Sequence, residues 1–273
     1  MCWRVSELVR WIELTLKQIT SPDNAQFKAL LKLAHSSRER RQAGFSLLDG
    51  VHLLQAYHAR FGDPEQIIVS EEGMRNAEVQ PYLATAAHVL LLHDSLFREL
   101  SSVATPTGVI VVIRTPRLEP LPATLETCVM LEDLQDAGNL GSILRSCAAA
   151  GVKQIFLSRH AVNAWSPRVL RAAMGAHFSL AIYERIDLIA LAQSYPGRVL
   201  VTQQHAAARV FDADLTGVIA LVFGNEGAGV SAALAQCAHQ AIAIPMQATT
   251  ESLNVAAAAA VCLFERVRQL ELQ

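Results

Sequence analysis

Ile242-Ala-Ile-Pro-Met-Gln-Ala-Thr-Thr-Glu-Ser-Leu-Asn-Val255 packs the end of a strand, a polar loop and the start of a helix into one short stretch. The apolar and small residues end at Pro245, which has no N–H and so marks the end of a strand. Ser252 stands where a helix takes its N-cap, just ahead of Val255 and a run of alanines. The turn therefore offers free backbone N–H groups, hydroxyls and the amide of Asn254 in one place. In an open α/β sheet, ligands bind in the crevice beyond the carboxyl ends of the strands.

Two similar turns lie upstream. Val218-Ile-Ala-Leu-Val-Phe-Gly224 reads as a buried strand, and Asn225-Glu-Gly-Ala-Gly-Val-Ser231 follows it. Glycines at 224, 227 and 229 permit positive φ and a close backbone approach to a ligand, with one carboxylate, Glu226, among them. Further back, Val129-Met-Leu-Glu-Asp-Leu134 reads as a strand, and Asp136-Ala-Gly-Asn-Leu-Gly-Ser-Ile-Leu-Arg145 opens a helix that Gly151 stops. Asn139 and Arg145 are nearly two helical turns apart, so both are expected near one side of the helix start.

Together the three turns resemble the three motifs of the SpoU (TrmH) family of RNA 2′-O-methyltransferases, members of the SPOUT class. Asn139, Gly141, Arg145 and Gly151 match the first motif. Gly224, Glu226, Gly229 and Ser231 match the second, and Ile244-Pro-Met246 with Ser252-Leu-Asn-Val255 the third. The likeness covers about the last 145 residues. Ala248 stands where the family usually has Gly, Ala137 where Pro is common and Ala173 where Ser is frequent. The methyl of Ala248 is expected to crowd the cofactor pocket.

The rest of the chain bounds the alternatives. At 273 residues it suits one large or two medium domains, and 52% hydrophobic content marks a globular chain. No apolar run reaches the roughly 18–20 residues of a membrane helix. The opening Met1-Cys-Trp-Arg-Val-Ser-Glu7 lacks the layout of a secretion signal, and five scattered cysteines fit reduced thiols, so a cytoplasmic protein is expected. The nine histidines form no metal signature; His88 and His93 come nearest to a pair of ligands. A net charge of −2 is not that of a general polyanion binder. Lys28, Lys32, Arg38, Arg40 and Arg41 nevertheless form a basic stretch, which reads either as a solvated helix face or as a phosphate-gripping surface.

The apolar stripe Val5, Leu8, Val9, Ile12 and Leu16 predicts a helix over residues 4–18. Ser21-Pro-Asp-Asn24 then caps a helix running through Leu33. Strands are predicted at 45–48, 66–70, 88–92 and 108–113, and helices at 50–60, 78–84 and 94–101, so that residues 1–113 make a small α/β domain. Residues 114–124 are proline-dense and read as a linker. Residues 125–273 show strands at 128–134, 154–158, 178–183, 198–202, 218–224 and 241–246 alternating with helices, the pattern of a mostly parallel sheet covered on both faces. A helix from Leu253 to about Leu270 ends the chain.

The resemblance adds further expectations. It implies a SPOUT domain with a deep trefoil knot, where pattern alone predicts an unknotted sheet. The N-terminal piece, with Asp49 in a place where Glu is usual, resembles the ribosomal-protein-like substrate-binding domain of many SpoU enzymes and is expected to hold RNA. The reaction implied is methyl transfer from S-adenosylmethionine (AdoMet) to a ribose 2′-hydroxyl, in ribosomal rather than transfer RNA. The donor is expected on Thr202, Gly224, Asn225, Glu226, Gly227, Ile244, Met246, Ser252 and Leu253. Catalytic roles fall to Asn139, Arg145, Glu226, Ser252 and Asn254, with Arg145 also touching RNA. Some accounts of the family make the Arg a base, but a guanidinium with a pKa above about 12 is better suited to binding phosphate and stabilising alkoxide charge. The small residues Ala256 to Ala260 fit a homodimer. One alternative is an RNA-binding relative without turnover; a nucleotide-dependent oxidoreductase ranks last, because no Gly-x-Gly-x-x-Gly follows the first strand of the sheet.

Overall fold

The computed structural model describes residues 16–116, 120–247 and 252–272. They fall into two compact units. One holds the described residues of 1–116 together with Trp165–Phe178, and the other those of 117–164 and 179–273.

The first unit runs β1 (Leu16–Ile19), α1 (Ala25–His35), α2 (Ser37–Ala43), β2 (Phe45–Asp49), α3 (Val51–Phe61), β3 (Gln66–Ser70), α4 (Gln80–Thr85), β4 (Val89–Leu92), α5 (Asp94–Leu100) and β5 (Val109–Arg114). Its sheet has the order β1-β4-β3-β5-β2, parallel from β1 to β3 and antiparallel on either side of β5. Asn24 caps α1, accepting the N–H groups of Gln26 and Phe27. Phe27, Leu47, Ile68, Leu90, Phe97 and Ile110 fill the core. Two expectations change. Leu16–Ile19 is a strand paired with Val89–Leu92, not the end of a helix; the rest of that predicted helix lies outside the described residues. The proline-dense stretch begins inside the sheet, because Arg114 pairs with Phe45 and Thr115 N–H donates to Gly44.

The second unit runs β6 (Cys128–Leu131), α6 (Ala137–Ala149) and β7 (Gln154–Ser158); after α7 (Pro167–Ala173), which lies against β2 of the first unit, it resumes with β8 (Ala181–Ile186), α8 (Leu188–Ser194), β9 (Arg198–Thr202), β10 (Ala208–Arg209), β11 (Ile219–Phe223), α9 (Ala232–Ala235), β12 (Gln240–Ala243) and α10 (Val255–Glu271). The sheet order is β10-β12-β9-β11-β6-β7-β8, and every pair runs parallel. The strands β6, β7, β9 and β11 are buried nearly throughout, which explains their near-continuous apolar runs. Cys128, Met130, Phe156, Val201, Ala220 and Val222 form one face of the core, with Phe156 stacked on Tyr183 at 5.0 Å between centroids.

Two expected strands end early: β6 stops at Leu131 because Asp133 turns into the left-handed region at φ 50°, and β12 stops at Ala243. The strand expected at 178–183 begins at Ala181, after a single turn of 3-10 helix over Ala176–Ser179. From β6 the chain builds outward through β7 and β8, then returns so that β11 lies on the other side of β6. That reversal makes the β6–β11 crevice a topological switch point, and all three motif turns leave the sheet at its carboxyl edge. No helix among the described residues is long and apolar enough to cross a membrane.

Candidate active site

Gly224 starts the turn after β11, and a Cβ there would lie 2.0 Å from the carbonyl carbon of Gly229. Gly229 itself takes φ 70°, closing the loop through reciprocal backbone bonds with Asn225 at 3.0 and 2.9 Å. These glycines are thus required by the turn itself, whether or not a ligand sits against it. Asn225 braces the loop from inside. Its Oδ1 accepts the N–H groups of Gly227 and Ala228 at 2.9 and 3.0 Å, and its Nδ2 donates to the Asp133 carbonyl at 2.9 Å.

Glu226 reaches from this loop to the start of α6. Its carboxylate accepts the N–H of Asp136 at 2.9 Å, that of Gln135 at 3.2 Å and Nδ2 of Asn139 at 3.2 Å. Burial pulls the carboxyl upward, but the N–H donors of Asp136, its own backbone, Asn139 and Gln135 outweigh it and hold Glu226 below the usual carboxylate range. A carboxylate at a helix N-terminus is also favoured by the helix dipole. Asp136 caps α6 by accepting the Asn139 N–H at 2.7 Å.

Asn139 carries the connection onward. Its Oδ1 accepts Nδ2 of Asn254 at 2.9 Å, while Asn254 Oδ1 caps α10 on the N–H groups of Ala256 and Ala257. Asn254, not Ser252, is therefore the N-cap; Ser252 is exposed and its hydroxyl has no hydrogen bond among the described residues. One chain of hydrogen bonds, Glu226–Asn139–Asn254, joins the turns after β11, β6 and β12.

Residues 126–264 match the SpoU rRNA methylase family. The chain belongs to that family. Residues 24–111 match the MRM3-like substrate binding domain. An uncharacterised tRNA/rRNA methyltransferase of Synechocystis sp. is 32% identical, over 93% of this chain and 94% of its own length. The 23S rRNA (guanosine(2553)-2'-O)-methyltransferase RlmP of Bacillus subtilis is 30% identical, over 91% of this chain and 98% of its own. The solved structure of the SpoU methyltransferase AviRb from Streptomyces viridochromogenes, in complex with the cofactor AdoMet, aligns with a TM-score of 0.83 at 27% identity, covering 91% of this chain and 98% of that one.

The other residues expected of a SpoU site divide. Arg145 lies exposed on α6, and its guanidinium has neither a hydrogen bond nor an ion pair among the described residues. Six helical residues set it about 9 Å along the axis and about 120° around it from Asn139, so the two do not share a face as expected. Thr202 Oγ1 donates to the Val222 carbonyl at 3.0 Å, a strand-to-strand bond. Ile244 and Met246 are half-buried beyond β12, and Leu253 is exposed. Ala248 lies outside the described residues.

Among the basic residues, Lys28, Lys32, Arg38 and Arg41 are exposed, with Lys28 paired to Asp23 at 2.8 Å. Arg40 is different. It is 5% exposed, and its Nη1 donates to the carbonyls of Leu33 and Ala34 at 2.6 and 3.0 Å, satisfying the C-terminus of α1. It is a structural residue, not an RNA contact. Glu132 and Ser158 were not foreseen: Glu132 accepts both the N–H and Oγ–H of Ser231 at 2.7 Å, and Ser158 bonds Asp133. Glu132 borders the first motif, which is a signal of a kind; Ser158 carries none. No group of three or more His, Cys, Asp or Glu among the described residues is placed to hold a metal ion.

Proposed function

We propose that this chain transfers a methyl group from AdoMet to a ribose 2′-hydroxyl of ribosomal RNA. The observation that carries the reading is the Glu226–Asn139–Asn254 bridge, which gathers three motif turns at the switch point of a parallel sheet. The residues suit such a donor: half-buried Ile244 and Met246 and exposed Leu253 supply apolar surface for a nucleoside, beside a glycine loop whose main chain is open to contact. When bound, AdoMet supplies a methyl carbon made electrophilic by its sulfonium, which leaves alignment and proton handling to the protein.

In this reading the turns after β9, β11 and β12 hold the donor, and Glu226, Asn139 and Asn254 fix those turns. Arg145, a permanent cation with no partner among the described residues, takes the target phosphate and stabilises charge developing on the ribose oxygen. Ser252 has its hydroxyl available for the RNA or the donor.

We further assign residues 1–113 to RNA binding through Lys28, Lys32, Arg38 and Arg41, and residues 125–273 to catalysis, with 114–124 between them. Membership of the SpoU family is the ground for assigning this domain a trefoil knot, and the strand order is compatible with one. Alanines 256–260, together with exposed Phe264 and Leu270 on α10, support a homodimer, which sedimentation at micromolar concentration tests. The cytoplasm is the compartment assigned.

The central reading is tested by titrating the purified chain with AdoMet in a calorimeter and then incubating it with labelled AdoMet and ribosomal or transfer RNA. Saturable binding and label on a ribose 2′-oxygen of ribosomal RNA are expected. No binding, or label on a base, overturns the reading.

A further inference from the structure

Ser158, the last residue of β7, belongs to none of the three motif turns, yet its hydroxyl holds the residue on which two of them depend. Its Oγ accepts the Asp133 N–H at 2.8 Å and donates to Asp133 Oδ1 at 2.6 Å. Asp133 is a non-glycine residue at φ 50°, a conformation disfavoured by its Cβ, although Asp tolerates it better than most when its side chain finds a local hydrogen bond. Both of the bonds from Ser158 go to this one residue and flank its φ. A hydroxyl offers one donor and two acceptor positions, so a single side chain can do both.

The left-handed turn decides where the Asp133 carbonyl points. That carbonyl accepts Nδ2 of Asn225 and Nε2 of Gln135, each at 2.9 Å. Asn225 then uses Oδ1 to hold the N–H groups of Gly227 and Ala228. Gln135 gives its own N–H to Glu226 and its remaining Nε2 proton to the His160 carbonyl at 2.8 Å. A hydroxyl on β7 is thereby connected, through one carbonyl, to the glycine loop after β11.

We propose that Ser158 is a positioning residue for the donor-binding turn: by keeping Asp133 left-handed it aims the carbonyl that fixes Asn225 and the loop 225–229. The inference rests on the donor-site reading above. It separates Ser158 from a packing residue, because what matters is the φ of its partner. Glycine at 133 adopts positive φ without help, so Asp133→Gly removes the need for the hydroxyl.

The test compares the full chain with Ser158→Ala, Ser158→Thr, Asp133→Gly and the Ser158→Ala/Asp133→Gly double variant. Three readouts are used: thermal melting, amide exchange of Gly227 and Ala228 without ligand, and AdoMet affinity by calorimetry. Ser158→Ala is expected to melt close to the parent, to exchange those two amides about tenfold faster and to bind AdoMet about tenfold more weakly. Ser158→Thr keeps the hydroxyl and is expected to behave as the parent. In the double variant, exchange and affinity are expected to return to within about threefold of Asp133→Gly alone, the non-additivity that marks a shared interaction. Parent-like exchange in Ser158→Ala, or a double variant as impaired as Ser158→Ala, overturns the proposal. If the parent binds no AdoMet, the donor-site reading falls and the functional half of this inference with it, whereas the exchange result still stands or fails by itself.

Discussion

Replacing Asn139 by Ala removes the middle of the bridge and little else. Two side-chain hydrogen bonds are lost, to Asn254 at 2.9 Å and to the Glu226 carboxylate at 3.2 Å. A neutral bond contributes about 1 kcal/mol net and a charge-assisted one about 1.5–3 kcal/mol; the exposure of Glu226 and the longer distance favour the low end of the second. Their sum, about 2–2.5 kcal/mol, becomes a loss of about 30- to 70-fold in kcat/KM if the bridge is needed to align donor and ribose. Folding is expected to survive, because the Asp136 cap uses the Asn139 backbone N–H and Ala is the better helix former. A melting shift of no more than about 4–10 °C is expected, less whatever the better helix propensity of Ala returns. Asn254→Ser, which retains a capping oxygen but loses the reach to Asn139, is expected to cost less, and adding it to Asn139→Ala should cost nothing further in the bridge. Methyl transfer to ribosomal RNA under single-turnover conditions, with melting as control, measures both. Parent-level turnover in Asn139→Ala, or full additivity with Asn254→Ser, refutes the reasoning.

Three further outcomes are expected. Burial raises the Glu226 carboxyl, but stronger N–H donation lowers it below its ordinary value of 4.5, so its stabilisation is complete above pH 4.5 and is lost as pH falls through the lower folded-state value. Amide protection of the loop 225–229 should decline in that acid range, and Glu226→Gln should abolish the pH dependence. Arg40→Ala strips a donor from two carbonyls and is expected to destabilise by about 2–3 kcal/mol without changing RNA affinity per folded molecule. Arg38→Ala should do the reverse, leaving the melt unchanged while weakening RNA binding and flattening its salt dependence. Gly224→Ala drives a Cβ to within 2.0 Å of the Gly229 carbonyl carbon and should cost about 3 kcal/mol or more; a parent-like melt would rule out that close packing.

Much of this architecture is readable from local chemistry. Gln66–Ser70, Gln154–Ser158 and Arg198–Thr202 form strands where apolar runs are bounded by Gly, Pro or polar clusters. Asn24 caps where a cap was expected, since its oxygen competes well for the first helical N–H groups. The failures are non-local. Leu16–Ile19 becomes a strand because β4 has an open edge for it, which no helical period within the segment can report. Arg40 resembles its basic neighbours until α2 folds it beneath the end of α1. Ser252 and Asn254 are both good caps, and the choice depends on where the helix axis begins. The motif residues were legible as a set, but not their pairing: nothing in the spacing says that Glu226 faces Asn139, because that contact spans the β6–β11 crevice.

The bridge also constrains where the ribose proton can go. A carboxylate has about four lone-pair positions, and Glu226 spends them on Gln135, Asp136, Asn139 and, more distantly, Asn225. Its lowered pKa makes it a weak base at neutral pH, where an efficient general base has a pKa near the working value. Asn139 and Asn254 are amides already engaged at both ends, and the guanidinium of Arg145 offers N–H donors but no acceptor position. On the proposed reading the motif side chains serve alignment and charge stabilisation, and the proton is expected to pass to water or to an oxygen of the RNA itself. On this account the rate rises with pH for as long as the ribose hydroxyl is the titrating group, and Arg145→Lys lowers the whole profile without moving its midpoint. A midpoint that moves with that substitution would return the role of base to Arg145.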